Sequence, residues 1–222
     1  MRADVLVGPT SWVSERFGAR SAGELWTRIP EALRTAIARA VHSRPHEPQT
    51  VDRLLDNPRW PHPYEELAVY LGELPGAEVV TAKRSAYQLV VVNGHIVLPW
   101  RYGPSGAVSM RDVPPGRGFG RLARELIARY APPQPLPGPQ LPLVRDIMDE
   151  REVAALCAEL AKVHPKPQLV LAGYAGSADH GLLRACLGVP GTTASGTLAW
   201  RHADDLPLPA PAIPRPRRMQ FP

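Results

Sequence analysis

Asn93-Gly94 stands between two runs rich in β-branched and aromatic residues, Ala86 to Val92 and His95 to Trp100. No other feature constrains the fold of this chain so strongly. A two-residue hairpin turn of type I′ needs positive φ at both central positions, and Asn-Gly tolerates that better than other dipeptides. A third β-rich run, Ala77 to Ala82, comes just before, so a three-strand unit is expected from about Ala77 to Tyr102. Within it Leu89-Val90-Val91-Val92 does not alternate between apolar and polar. That pattern predicts a strand covered on both faces, with helices on either side of the sheet.

Helical signals flank the strands. Ser21-Ala22-Gly23-Glu24 matches a capping box, and Pro30 fits a first helical position better than an interior one. Two helices are therefore expected, one near 22–28 and one from about 30 to 42 with Leu33, Ala36, Ile37, Ala40 and Val41 on its apolar face. The stretch 43–63 carries Pro45, Pro48, Pro58, Pro61 and Pro63 and reads as a surface loop with one helical turn at Val51 to Leu55. Tyr64, Leu67, Ala68 and Leu71 recur at helical spacing, with Gly72 placed as a left-handed terminator. Phe119, Leu122, Ala123, Leu126, Ile127 and Tyr130 form another helical stripe. Farther on, Asp149 and Glu152 read as a capping pair for a helix bearing Val153, Leu156, Cys157 and Leu160, with Lys162 suiting its C-terminal dipole. Gln168 to Tyr174 reads as a buried strand, Leu182 to Leu187 as a short helix closed by Gly188, and Thr197 to Arg201 as a strand. At the start, Val5-Leu6-Val7 before Gly8-Pro9 predicts a strand or extended arm.

Six prolines between Ala131 and Pro142 mark a semi-rigid linker, and six more among Leu206 to Pro222, with Arg215, Arg217 and Arg218, mark an extended tail. The expected organisation is an N-terminal helical segment (1–62), a central sheet and helix (63–130), the linker (131–142), a C-terminal α/β segment (143–205) and the tail (206–222). The fold class is α/β (α+β): a three-stranded antiparallel meander extended to a mixed sheet with helices on both faces.

The net charge of +5 favours polyanions without reaching the charge density of a dedicated nucleic-acid arm. Only Lys83, Lys162 and Lys166 are lysines among 26 basic residues. A GC-rich bacterial genome produces that arginine bias by itself. Two cysteines, the lack of an export leader and the shortness of every apolar run point to a cytoplasmic protein with neither a disulfide framework nor a membrane span.

Three groups of residues could carry chemistry. Trp100, Arg101 and Tyr102 end the third strand, and Lys83 and Arg84 follow the first, so a meander places all five at one end of the sheet; aromatic planes beside cations suit stacked bases and phosphates. The competing assignment is rim packing. Arg117, Arg121 and Arg124 lie at i, i+4 and i+7 and could follow a phosphate backbone, although any amphipathic helix in an arginine-rich chain has such a solvated face. The Gly173 to Gly181 segment, with Gly176, Ser177, Asp179 and His180, reads as a turn from strand to helix of the kind that binds anions. It is neither a G-x-G-x-x-G fingerprint nor a P-loop, and Ser177, Asp179 and His180 are too close in sequence to converge as a triad. No metal-ligand spacing links His164, His180, His202, Cys157 and Cys186, so neither metal nor cofactor is expected.

The order helix, three strands, helix, strand over roughly 63–174 resembles the αβββαβ core of restriction-endonuclease-like domains. Active members carry an acid on the second strand and Glu/Asp-x-Lys on the third to hold magnesium. Here those strands read Ala86-Tyr87-Gln88-Leu89-Val90-Val91-Val92 and His95-Ile96-Val97-Leu98, without acid or lysine, so the resemblance implies the fold without that chemistry. Taken together, the residues favour a non-catalytic accessory protein that contacts DNA, RNA or a nucleoprotein. The alternatives are a small-molecule or nucleotide-binding enzyme using the Gly173 to Gly181 loop, and an adaptor whose proline-rich tail docks on a protein partner.

Overall fold

Six strands share one sheet in the order β1 (Ala77–Thr81), β2 (Gln88–Val92), β3 (His95–Gly103), β4 (Gln168–Ser177), β5 (Gly181–Thr192), β6 (Leu198–Leu206). Every neighbouring pair is antiparallel except β3 and β4, which run parallel with Ile96 opposite Leu169 and Trp100 opposite Gly173. This computed structural model describes residues 8–43, 48–57, 60–83, 85–113, 119–132, 150–192 and 198–208. The class expected from sequence, a mixed sheet with helices, is the one observed. At the hairpin Asn93 has φ 46° and Gly94 φ 74°, the positive pair that a type I′ turn demands.

Helices cover both faces. On one lie α1 (Ser11–Phe17), α2 (Ala19–Ser43) and α3 (Pro48–Leu55), with Leu67 and Leu71 of α4 (His62–Leu71), packed on Val90, Val92, Val97, Val170, Ala172, Leu187 and Val189. On the other, α5 (Arg121–Tyr130) and α6 (Glu150–Leu160) pack on Leu89, Val91, Ile96, Leu98, Leu169 and Leu171. Val90 and Val91 thus face opposite cores, which is why this run shows no polar alternation. The two helices α5 and α6 also supply the crossover that a parallel β3–β4 pair requires. Strands from both sides of the proline-rich segment join this one sheet.

Several local expectations are corrected. Residues 19–43 form one helix with Pro30 inside it and buried. An internal proline costs about 3 kcal/mol, but Leu25, Ile29, Leu33 and Ile37 are all essentially inaccessible, and each buried side chain of that size contributes about 1.5–3 kcal/mol. The continuous apolar face therefore wins over the break. Ser21 is not a cap: it is buried within α2, and its Oγ accepts from Asn93 Nδ2 at 3.2 Å. Helix α1 was not legible, being only seven residues long; Val13 and Phe17 anchor it. Gly72 ends α4 at φ −63°, in the right-handed region. The turn at 51–55 is part of a longer α3.

The largest correction concerns Leu182 to Leu187, which is β-strand. A short apolar run fits a buried strand as well as a helix. Here β4 and β6 pair with it on both sides, Cys186 lying opposite Gly173 and Asp205, so ladder hydrogen bonds decide the matter. Gly188 sits inside the strand, where an added Cβ would come 2.6 Å from Met110 Cε and 3.1 Å from the His202 carbonyl oxygen. Glu152 is not an α6 cap but reaches back to the β1–β2 connection, accepting from Ser85 Oγ at 2.9 Å and Ala86 N at 3.0 Å. The N-terminal arm at 1–7, Asp149 and residues 209–222 of the tail lie outside the described residues, as does most of the linker.

Candidate functional site

The end of the sheet where β3 and β4 finish is not level. The ladder between β2 and β3 stops at Val90 opposite Val97, whereas β3 runs on to Gly103 beside β4. Pro99, which has no N–H to donate, falls just beyond the last β2 pair. Past it β3 borders a notch on its β2 side. This notch lies outside the carboxyl ends of the two parallel strands, where α/β sheets commonly hold ligands.

A cavity of about 110 Å³ occupies the notch. The end of α3 and the chain leading into α4 supply Asp56, Asn57, Trp60 and Tyr64; β3 supplies Pro99, Trp100 and Arg101; β4 supplies Tyr174; and the start of α5 supplies Gly120, Leu122 and Ala123. Trp60 and Trp100 are 4% and 5% exposed, and neither indole N–H has a hydrogen-bond partner among the described residues. A buried polar hydrogen without an acceptor costs about 1–3 kcal/mol. Trp100 is held by aromatic neighbours: it stacks on Phe119 with centroids 4.6 Å apart and on Trp200 at 5.7 Å.

Arg101 leaves the strand on the opposite side from Trp100. Its side chain is 6% exposed; Nη1 meets Asp56, while Nε and Nη2 donate to the Gly176 carbonyl at 3.2 and 2.7 Å. Asp52 lies 4.0 Å away and accepts from Ala178 N at 2.9 Å. The guanidinium thus ties α3 to β3 and to the β4–β5 turn. Tyr174, fully buried nearby, has its phenol pKa pushed up by burial, so it stays protonated.

The sequence placed Trp100, Arg101 and Tyr102 together as one aromatic and cationic surface. Strand alternation separates them: Trp100 and Tyr102 join the α5 face and Arg101 the α3 face. Lys83 is exposed at the same end of the sheet. Arg84 and Arg117 lie outside the described residues. Arg121 pairs with Glu150 at 2.6 Å, and Arg124 is half-buried on α5.

The Gly173 to Gly181 segment does not run from strand into helix. Residues up to Ser177 belong to β4, a three-residue turn follows, and β5 starts at Gly181, so no helix N-terminus is present to bind an anion. Gly173 and Gly176 are packing glycines: a Cβ would lie 2.1 Å from Met110 Sδ at the first and 2.7 Å from the Gly181 carbonyl oxygen at the second. Ser177 Oγ accepts from His180 N at 3.2 Å and lies 3.3 Å from its Nδ1. Asp179 is exposed. These contacts close the turn.

A second cavity, of about 360 Å³, lies between the 3-10 turn Met110–Asp112 and β6. Its polar groups satisfy one another. Cys186 Sγ donates to Asp205 at 3.0 Å, Arg184 Nη2 donates to both oxygens of the same carboxylate, and Arg111 donates to the Ala203 carbonyl. Burial pushes the Cys186 thiol up to about 12, with the Asp205 hydrogen bond adding to it. It is therefore not a thiolate nucleophile near neutral pH. Among the described residues no group of three or more His, Cys, Asp and Glu side chains could hold a metal, and no helix is long and apolar enough to cross a membrane.

Of the cavity's residues, sequence reasoning found Trp100 and Arg101 and missed Trp60, Asp56 and Tyr174. The one signal for Trp60 was an aromatic set among prolines, in a stretch otherwise read as surface loop. Comparison with protein-family models, with curated proteins and with solved structures finds no match.

Proposed function

We propose that this chain is a binding protein that takes a small polar ligand, or one polar group of a larger molecule, in the notch at the end of β3 and β4. The observation that carries this reading is the cavity itself. Five stretches distant in sequence converge on it, at the position where mixed α/β sheets hold ligands. Binding is favoured over catalysis by the state of the ionisable groups there. Arg101 is engaged by Asp56 and the Gly176 carbonyl, and Tyr174 is held neutral by burial. A general base or nucleophile must be poised to exchange a proton or attack; these two are not.

A library of small acids, amides, sugars and nucleotides screened by thermal shift tests the reading. A ligand at a hundredfold its Kd adds about 2.7 kcal/mol to stability. Ala123→Leu, which places bulk at the cavity wall, is expected to erase the shift while leaving the unliganded melting temperature near that of the wild type. A library that stabilises both proteins equally, or neither, counts against the notch.

A second reading, contact with nucleic acid, draws on the net charge of +5 and on exposed Lys83 at the same end of the sheet. Binding of this kind weakens steeply with salt. A gel-shift series at low and physiological salt with duplex and single strands tests it, and no retardation at low salt ends it.

A further inference from the structure

The cavity's hydrogen-bonding character is one-sided. Trp60 and Trp100 contribute indole N–H groups, which can donate but never accept, and both are buried without an acceptor among the described residues. The start of α5 brings more donors. Its N-cap is Gly120, whose lack of a side chain leaves no cap hydrogen bond, and the first intrahelical bond runs from Arg124 N to Gly120 O at 3.1 Å. The helix itself leaves the N–H groups of its first turn unclaimed, and Leu122 and Ala123 of that turn border the cavity. The positive end of the helix dipole is therefore directed at the same space. The carboxylate at the rim, Asp56, is drawn away by Arg101.

We infer that the group this cavity accepts is an oxyanion, a carboxylate or a phosphate, received by the indole N–H groups of Trp60 and Trp100 and the first turn of α5. This deepens the binding reading above and rests on it. Size agrees. A cavity of about 150 Å³ holds benzene, so about 110 Å³ suits one carboxylate or phosphate group and excludes a whole nucleotide. Anions at helix N-termini are a recurrent solution. Here the two orphan indole donors, nine-tenths buried on the cavity's wall, are the independent sign that an acceptor belongs there.

The test uses the full-length protein labelled with ¹⁵N and follows its five indole N–H signals, those of Trp60 and Trp100 being assigned from Trp60→Phe and Trp100→Phe. Sodium phosphate and sodium acetate are titrated against sodium chloride at matched ionic strength. The expected result is a saturable shift of the Trp60 and Trp100 signals with phosphate or acetate and none with chloride. Phosphate alone or acetate alone acting would identify the anion. Each Phe variant, which keeps the ring and loses the donor, is expected to weaken binding about tenfold. If neither signal responds to either anion, or all five drift together without saturation, the oxyanion assignment is wrong. Neutral amides and sugars are titrated in parallel. If these move the two signals and anions do not, the cavity binds ligands of another class and the binding reading survives; if nothing moves them, both fall. Should a Phe variant fail to fold, the wild-type titration still decides.

Discussion

Arg101 Nη2 donates to the carbonyl oxygen of Gly176 at 2.7 Å, fastening the end of β3 to the tip of β4 beneath the cavity. The same guanidinium meets Asp56, whose side chain is 71% exposed. An ion pair with so exposed a partner is worth under about 1 kcal/mol, whereas a charged donor on a buried carbonyl is worth about 1.5–3 kcal/mol. Arg101→Lys, which loses the planar fork, is therefore expected to destabilise by about 2 kcal/mol, and Asp56→Asn by much less. Urea denaturation of both variants checks this; equal losses would show that the ion pair, not the carbonyl contact, holds the corner.

Gly176 approaches the Gly181 backbone too closely for a side chain. Its replacement by alanine forces a Cβ to 2.7 Å from a carbonyl oxygen and 2.8 Å from Ile37 Cδ1, and overpacking of this sort costs about 1–3 kcal/mol. Since the contact is with backbone, no rotamer change relieves it. Gly176→Ala is expected to lower the melting temperature. Ligand affinity, measured well below that temperature, is expected to change less than threefold. Unchanged stability with lost affinity would return the ligand to the Gly173 to Gly181 turn.

Asn93 secures the hairpin to the N-terminal helices as well as turning it. Its Nδ2 donates to the Phe17 carbonyl at 2.6 Å and to Ser21 Oγ at 3.2 Å. Asn93→Gly keeps the positive φ and loses both bonds, an expected cost of about 1–2 kcal/mol. Asn93→Ala adds the left-handed penalty of about 1 kcal/mol. Chemical denaturation should rank them wild type, Gly, Ala; an Ala variant as stable as the Gly variant refutes the backbone part.

Alkaline pH is expected to weaken the fold. An ordinary thiol ionises near 9.0, and Cys186 is held up to about 12. Above pH 9 the unfolded chain loses a proton that the folded chain keeps. Stability is thus complete below pH 9 and falls as pH rises towards 12, by up to about 1.4 kcal/mol per pH unit for this one group. Burial also raises Cys157, and it raises the Tyr102 and Tyr174 phenols above their usual 10.0, which steepens the loss farther up. Urea midpoints across this range should show the slope, and Cys186→Ala should make it shallower. A variant slope identical to that of the wild type would place the titration elsewhere.

Much of the fold was legible because it is written locally. Asn93-Gly94 fixes a turn by its φ requirement alone, the valine run announces a doubly covered strand, and the stripe from Leu122 to Tyr130 has one helical period. Pro30 and Leu182 to Leu187 misled for a shared reason: each has a local preference that a long-range contact overrules. Burial of a continuous helix face outweighs one missing N–H in the first, and ladder bonds to β4 and β6 outweigh helical spacing in the second.

The site follows the same division. The sequence alone determined that Trp100, Pro99 and Arg101 end a strand, that helices flank the sheet and that metal-holding acids are missing from β2 and β3. Tertiary structure alone decided that β2 stops short of β3, that Trp60 arrives from a proline-rich connection, and that α5 starts beside Trp100. A cavity is a relation among residues far apart in the chain, and no local periodicity or propensity encodes which of them meet. Packing does, and here it turns an expected exposed aromatic edge into a buried pocket lined with donors.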